Sequence, residues 1–229
     1  MAEEKKTKKE VSETDQIKSE AKATFNDTKE SFKNVKFKED AKKTTGYVSG
    51  MLKNPFETLK SIANDSKNKN FKYALLMICV WLIAILIVEI KGSYWHKGFV
   101  GSSIKTIICS VLAPVIGILA YSLIVYFTQK DAKKNLTTNI TVTTTALMPK
   151  ILVSIISILE LVSSKFDEIV TPLYLFANAV SIVLIYFGTK ALIGESEENE
   201  FFKKYCLIQF VYVLVYFIFT FLKLAIPMI

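Results

Sequence analysis

The 229-residue chain contains no arginine; all 29 of its basic residues are lysine. Planar, bidentate recognition of phosphate is therefore missing, and a dedicated nucleic-acid surface is not expected. Histidine occurs once, as His96, with no acid or nucleophile beside it, so no general base is indicated. Cys79, Cys109 and Cys206 sit in or beside apolar segments without paired spacing. They read as packing residues, with neither a disulfide framework nor a zinc site in prospect. Eight glycines are too scattered to cradle a phosphate, and no GxxxxGK[ST], GxGxxG or HExxH pattern occurs. The apolar segments hold no aspartate, and their glutamates, Glu89 and Glu160, fall near segment ends. No enzyme, metal or cofactor is expected. The first seventy residues also lack the apolar stretch of a signal peptide, so the first span is expected to direct the chain to the membrane.

What is present is apolar. Hydrophobic residues make up 51% of the chain and the mean hydropathy is +0.34, high for a soluble protein. The composition divides the chain into a lysine- and glutamate-rich cytoplasmic tail at 1–50, a juxtamembrane amphipathic helix at 51–72 and a membrane domain at 73–229. Crossing a bilayer takes roughly 20 mostly apolar residues. Five segments qualify, at about 73–90, 106–128, 140–161, 169–189 and 205–225. Their scattered charges do not fit the alternation of an outer-membrane barrel. The predicted fold is all-α: a bundle of five transmembrane helices, preceded by a cytoplasmic amphipathic helix and a charged, partly helical or disordered tail.

Within the tail, Ile17, Ala21, Phe25, Phe32 and Val35 recur at helical spacing. A partly helical tail, a membrane-surface helix and a partner-binding coil all fit that thin stripe. Gly46 and Gly50 then punctuate the chain. In Asn54-Pro55-Phe56-Glu57, an N-cap residue, a proline at the first helical position and a glutamate three residues after the cap compose a capping box. The helix it starts has Phe56, Leu59, Ile62 and Ala63 on one side and lysines such as Lys60 on the other. It reads as lying on the inner bilayer surface with its lysines near anionic lipid headgroups, or as a plain juxtamembrane helix.

Lysine placement sets the orientation. The inner flanks carry eleven (Lys53, Lys60, Lys67, Lys69, Lys72, Lys130, Lys133, Lys134, Lys190, Lys203 and Lys204), whereas the outer flanks carry five (Lys91, Lys97, Lys105, Lys165 and Lys223). A multi-pass cell-membrane protein with its N-terminus cytoplasmic and its C-terminus outside follows. Tyr94-Trp95 would mark the outer interface, and Tyr126-Phe127 and Tyr186-Phe187 the inner one.

The third segment carries the one deeply placed charge. Lys150 lies ten residues from Ile140, or about 15 Å into a hydrocarbon core of roughly 30 Å. Thr143, Ala146, Lys150, Ser154 and Ser157 recur at three- and four-residue steps and form a polar stripe. Small polar residues commonly serve close helix packing in membranes, whereas an intramembrane ionisable group marks a pathway or a ligand contact. A lysine that snorkels to the interface is the third reading. Asn178 falls at a similar depth in the antiparallel fourth segment, so Lys150 is expected to point toward it. Lys150, Asn178, Ser154 and Thr143 are the candidate ligand or partner contacts; Asn54, Pro55, Glu57 and Lys60 are the candidate membrane-surface residues.

The charged tail, the Asn54-Pro55-Phe56-Glu57-Thr58-Leu59 helix start and the Ala146-Leu147-Met148-Pro149 turn in the third of five spans resemble the bacterial members of the Yip family, the Ypt-interacting proteins. The likeness covers roughly residues 50–229. It implies a five-helix integral membrane protein with a cytoplasmic N-terminus. Eukaryotic relatives bind Rab-type GTPases, an activity for which no matching residues occur here. The leading expectation is a non-enzymatic membrane scaffold that contacts lipid and recruits a cytoplasmic protein through its tail. The alternative is a small permease or transporter subunit using the Lys150 stripe, against which stands the absence of a second Pro149-Lys150 copy.

Overall fold

Long apolar runs leave the backbone no partner in lipid except itself, so each must close its own hydrogen bonds as a helix. The computed structural model describes residues 2–33, 37–65, 69–97, 102–129, 134–194 and 197–221, and every regular element among them is helical. Helices α1 (Ala2–Lys33), α2 (Phe37–Lys53) and α3 (Pro55–Ala63) precede the apolar region. Then come α4 (Phe71–Lys97), α5 (Ser102–Thr128), α6 (Leu136–Ala146), α7 (Met148–Ile156), α8 (Asp167–Ile193) and α9 (Glu198–Phe221). Two 3-10 turns, Ser157–Leu161 and Ser164–Phe166, join α7 to α8.

Four of these helices, α4, α5, α8 and α9, are long and apolar enough to cross a membrane. The third segment differs from the expected single helix. It is two helices bent by 50° about Leu147, and it is a fifth span if the pair is counted as one. Proline explains the break: Pro149 has no N–H for the Thr145 carbonyl, and its ring crowds that carbonyl. The Leu147 N–H still bonds the Thr143 carbonyl four residues back, shared with the Thr144 carbonyl as the last turn of α6 tightens.

All eleven residues of α6 are buried, although six of them are threonines. The helix satisfies several hydroxyls internally. Thr141 Oγ1 donates to the Thr137 carbonyl at 2.7 Å and Thr145 Oγ1 to the Thr141 carbonyl at 2.6 Å. Others tie neighbouring helices together, with Ser122 Oγ donating to Thr143 Oγ1 at 3.2 Å and Gln129 Nε2 to Asn139 Oδ1 at 2.8 Å. Short polar side chains also let backbones approach. A Cβ placed on Gly188 of α8 would lie 2.9 Å from Val142 Cγ1 of α6.

The N-terminal helices depart most from the sequence reading. Gly46 and Gly50 do not end a helix, because α2 runs through both. Packing on the spans holds it: Asp40 is buried and its Oδ1 lies 2.7 Å from Lys72 Nζ, Tyr47 bonds Thr145 of α6, and Met51 joins the core. Tertiary contacts thus outweigh the helix-weakening effect of two glycines, roughly 1 kcal/mol each. The capping box at Asn54 does not form either. Helix α3 begins at Pro55 as expected, yet the Asn54 side chain caps nothing. Its backbone N–H is already donated to the Gly50 carbonyl at 2.9 Å as α2 ends, so Glu57 has no free donor to reach back to. The Asn54 carbonyl instead accepts from Thr58 N and Thr58 Oγ1.

The apolar face of α3 was expected on the bilayer, but it is turned inward. Leu59, Ile62 and Ala63 are buried against α6 and α8, and Phe56 stacks on Phe187 with ring centroids 4.3 Å apart. A nine-residue helix covers one side only, and the threonine-rich α6 offers it a close-packed seat. In the tail, Phe25 and Phe32 are exposed. The side chains of Ile17, Val35, Lys91, Tyr94, Trp95, His96, Lys97 and Lys105, together with Lys67, Lys130, Lys133, Lys223 and Ile229, lie outside the described residues.

Candidate functional site

A cavity of about 350 Å³ opens between α4, α5, α7 and α8, and Lys150, Ser154, Ser157 and Asn178 all line it. Its position follows from two prolines. The bend before Pro149 swings α7 away from the axis of α6, and Pro114 in α5 leaves the Ser110 carbonyl without its usual donor four residues on. Ser110 and Pro114 both border the cavity.

One wall is a bonded chain of side chains. Trp81 Nε1 donates to Ser154 Oγ at 2.9 Å, and Ser154 Oγ pairs with Tyr174 OH at 3.0 Å. Ser157 Oγ donates to the Ser154 carbonyl at 2.8 Å. These groups link α4, α7 and α8 and have spent their main hydrogen-bonding capacity on one another. The Lys150 ammonium and the Glu89 carboxylate have not, because neither has an ion-pair or hydrogen-bond partner among the described residues. Lysine and glutamate thus face one cavity without pairing, in surroundings where an uncompensated charge is expensive.

Lys150 and Asn178 meet at this cavity, with no hydrogen bond between them. Ser154 is there too, but as part of the wall. Thr143 is not, because the bend at Leu147 breaks the stripe and leaves Thr143 buried against Ser122 of α5. Sequence reasoning passed over Trp81, Tyr174, Ser110 and Glu89. Trp81 carried a signal, since an indole in mid-span needs a partner for its N–H. Glu89 was read as a span-end residue, and the apolar span in α4 does end at Ile90, yet the cavity extends far enough to reach it.

A second cavity, about 530 Å³, lies where α3 meets the C-terminal end of α8, and Glu57, Lys60, Asn64, Lys134 and Lys190 line it. Lys134 donates to the Ala191 carbonyl and so caps the last turn of α8. Burial pushes the pKa of this lysine down. Lys190 Nζ lies 3.5 Å from Glu198 Oε1, an exposed contact of little strength. Lys60 is exposed. Of the four residues expected at a membrane surface, Glu57 and Lys60 thus border this basic cavity, whereas Asn54 and Pro55 form the α2–α3 junction.

Among the described residues, no group of three or more histidine, cysteine, aspartate or glutamate side chains could hold a metal ion. A family model described as the Yip1 domain matches residues 49–224, a stretch that contains both cavities. No curated protein and no solved structure matches the chain.

Proposed function

Because the chain belongs to the Yip family of membrane proteins, we propose that it is a non-enzymatic integral membrane scaffold with a cytoplasmic N-terminus. It holds anionic lipid headgroups at the α3 end of the bundle and recruits a cytoplasmic protein through its lysine-rich tail. The observation that carries this reading is the convergence of Lys60, Lys134 and Lys190 on one cavity, from three separate stretches of chain. Lysines near an anionic leaflet gain about 1 kcal/mol each. Three of them gathered at the end of the bundle form a seat for a phosphate-bearing headgroup.

The docking of α2 and α3 supports the recruiting role. Asp40, Tyr47, Met51, Leu59 and Ile62 are fixed to the spans, and α1 itself contacts α4 and α6, so a partner bound to α1 is held close to the membrane domain. The exposed Phe25 and Phe32 offer apolar contact points on that helix.

Two measurements test the proposal. In a cysteine-free background, Glu198→Cys should react with an impermeant maleimide only after the cells are opened; labelling of intact cells overturns the orientation. Purified protein carrying Lys60→Gln and Lys190→Gln should retain severalfold less phosphatidylglycerol than the parent. Equal retention removes the headgroup seat.

A further inference from the structure

The α3-end cavity does not use Lys150 of α7 or Glu89, which lies at the end of the Phe71–Ile90 span. Lys150 and Glu89 line the cavity between α4, α5, α7 and α8, and each lacks an ionic partner among the described residues. Bringing the two together would be the simplest way to compensate both, and the fold does not do so. Trp81, Ser154 and Tyr174 are tied into a fixed wall beside Lys150, and the space between the charges stays open.

We propose that this cavity binds a zwitterionic headgroup, its anionic group on the Lys150 ammonium and its ammonium on the Glu89 carboxylate. Each remaining polar group fits one half of such a ligand. The Asn178 amide can donate to an anionic oxygen next to Lys150. The Ser110 carbonyl, released by Pro114, can accept from the ligand ammonium together with Glu89. An anionic lipid would satisfy Lys150 and leave Glu89 facing a like charge. A simple cation would do the reverse. Only a ligand with both charges compensates both residues, and a volume of 350 Å³ is within the range of small-ligand sites. The same chemistry is carried by phosphatidylethanolamine and by water-soluble phosphoethanolamine.

The full chain, purified in mild detergent, separates these sources. Native mass spectrometry of the parent and of the Lys60→Gln/Lys190→Gln protein after exposure to phosphatidylethanolamine or phosphatidylglycerol counts the lipid retained with and without the α3-end seat, and thermal unfolding with added phosphoethanolamine reads the soluble ligand. Preferential retention of phosphatidylethanolamine supports the site with a lipid occupant. A thermal shift with phosphoethanolamine and no retained lipid supports it with a soluble one. In either case Lys150→Met and Glu89→Gln should each weaken binding roughly tenfold, as expected for loss of a charge-assisted bond. Asn178→Leu keeps both charges and nearly the same shape but removes the amide donor, so it tests the site even if a charge variant fails to fold. Lys60→Gln with Lys190→Gln should leave this binding unchanged, which keeps it distinct from the α3-end headgroup seat. The proposal is overturned if phosphatidylglycerol is retained as well as phosphatidylethanolamine by the Lys60→Gln/Lys190→Gln protein, whose α3-end seat is removed, if neither probe binds, or if binding persists in both Lys150→Met and Asn178→Leu.

Discussion

Helices α6 and α9 invert the rule learned from soluble proteins. Helix α6 reads LTTNITVTTTA and is buried along its whole length, whereas α9, rich in phenylalanine, tyrosine and valine, buries only Phe201 and Ile208. In water the aromatic helix would be the core and the threonine helix the surface. A bilayer removes that sorting, since lipid tails solvate phenylalanine as well as protein does. What then decides the interior is close approach and hydrogen bonding. Helix α6 supplies both through short side chains and through hydroxyls that bond its own carbonyls or neighbouring helices.

The largest effect should come from pushing α6 away from its seat. Gly188→Val adds a branched side chain where a single Cβ already falls 2.9 Å from Val142 Cγ1 and 3.8 Å from Leu59 Cδ2. Valine 142 is stiff and enclosed, so it has little room to yield. Thermal unfolding in detergent should show a loss of about 2 kcal/mol or more. A loss below half of that would mean that α6 is not wedged between α3 and α8.

A loss of about 1 kcal/mol is expected for Tyr47→Phe, which removes the hydroxyl that bonds Thr145 and fastens α2 to the bundle. The same contact makes a pH prediction. Burial pushes the Tyr47 phenol well above its ordinary pKa near 10. The folded state then keeps a proton that the unfolded chain releases, so this contribution is complete below pH 10 and is lost as pH rises beyond it. Parent protein should lose stability above about pH 10 more steeply than Tyr47→Phe does. Parallel curves would show that the phenol is not desolvated.

These effects also mark where sequence reasoning stops. The helices of the membrane region were legible because apolar length alone demands them. The start of α3 at Pro55 was legible from the fixed φ of proline, but its capping box was not, because the Asn54 N–H had been claimed by Gly50 four residues upstream. Burial of α6 was invisible to hydropathy, which scores threonine the same in an interior and on a loop. The polar stripe failed at Thr143 because a straight helix was assumed across Pro149, whereas the chain bends by 50° there. Lys150, Ser154 and Asn178 lie beyond the bend and come to one cavity.

Two adjacent threonines sharpen the comparison within α6 itself. Thr145 Oγ1 is bonded to the Thr141 carbonyl and to Tyr47, whereas Thr144 Oγ1 is buried with no hydrogen-bond partner among the described residues. Thr145→Val should therefore destabilise by about 1 kcal/mol, while Thr144→Val, nearly the same shape without the stranded hydroxyl, should be neutral or stabilising by up to about 1 kcal/mol. Equal losses at both positions would show that hydroxyl satisfaction does not set the order inside this bundle.

The smallest effect belongs to α9. Phe217 is exposed, as are Phe210, Val213, Leu214 and Ile218, and on this helix the apolar side chains meet lipid more than protein. Phe217→Leu exchanges one lipid-soluble side chain for another and removes no packed partner inside the bundle. Its ring lies 6.2 Å from that of Tyr216, a neighbour on the same helix, so the lost aromatic contact ties no second element to α9. The change in unfolding free energy should stay within about 0.5 kcal/mol. A loss as large as that of Gly188→Val would mean that α9 is covered by protein in the membrane, and the contrast between a buried polar helix and an exposed aromatic one would then fail at α9.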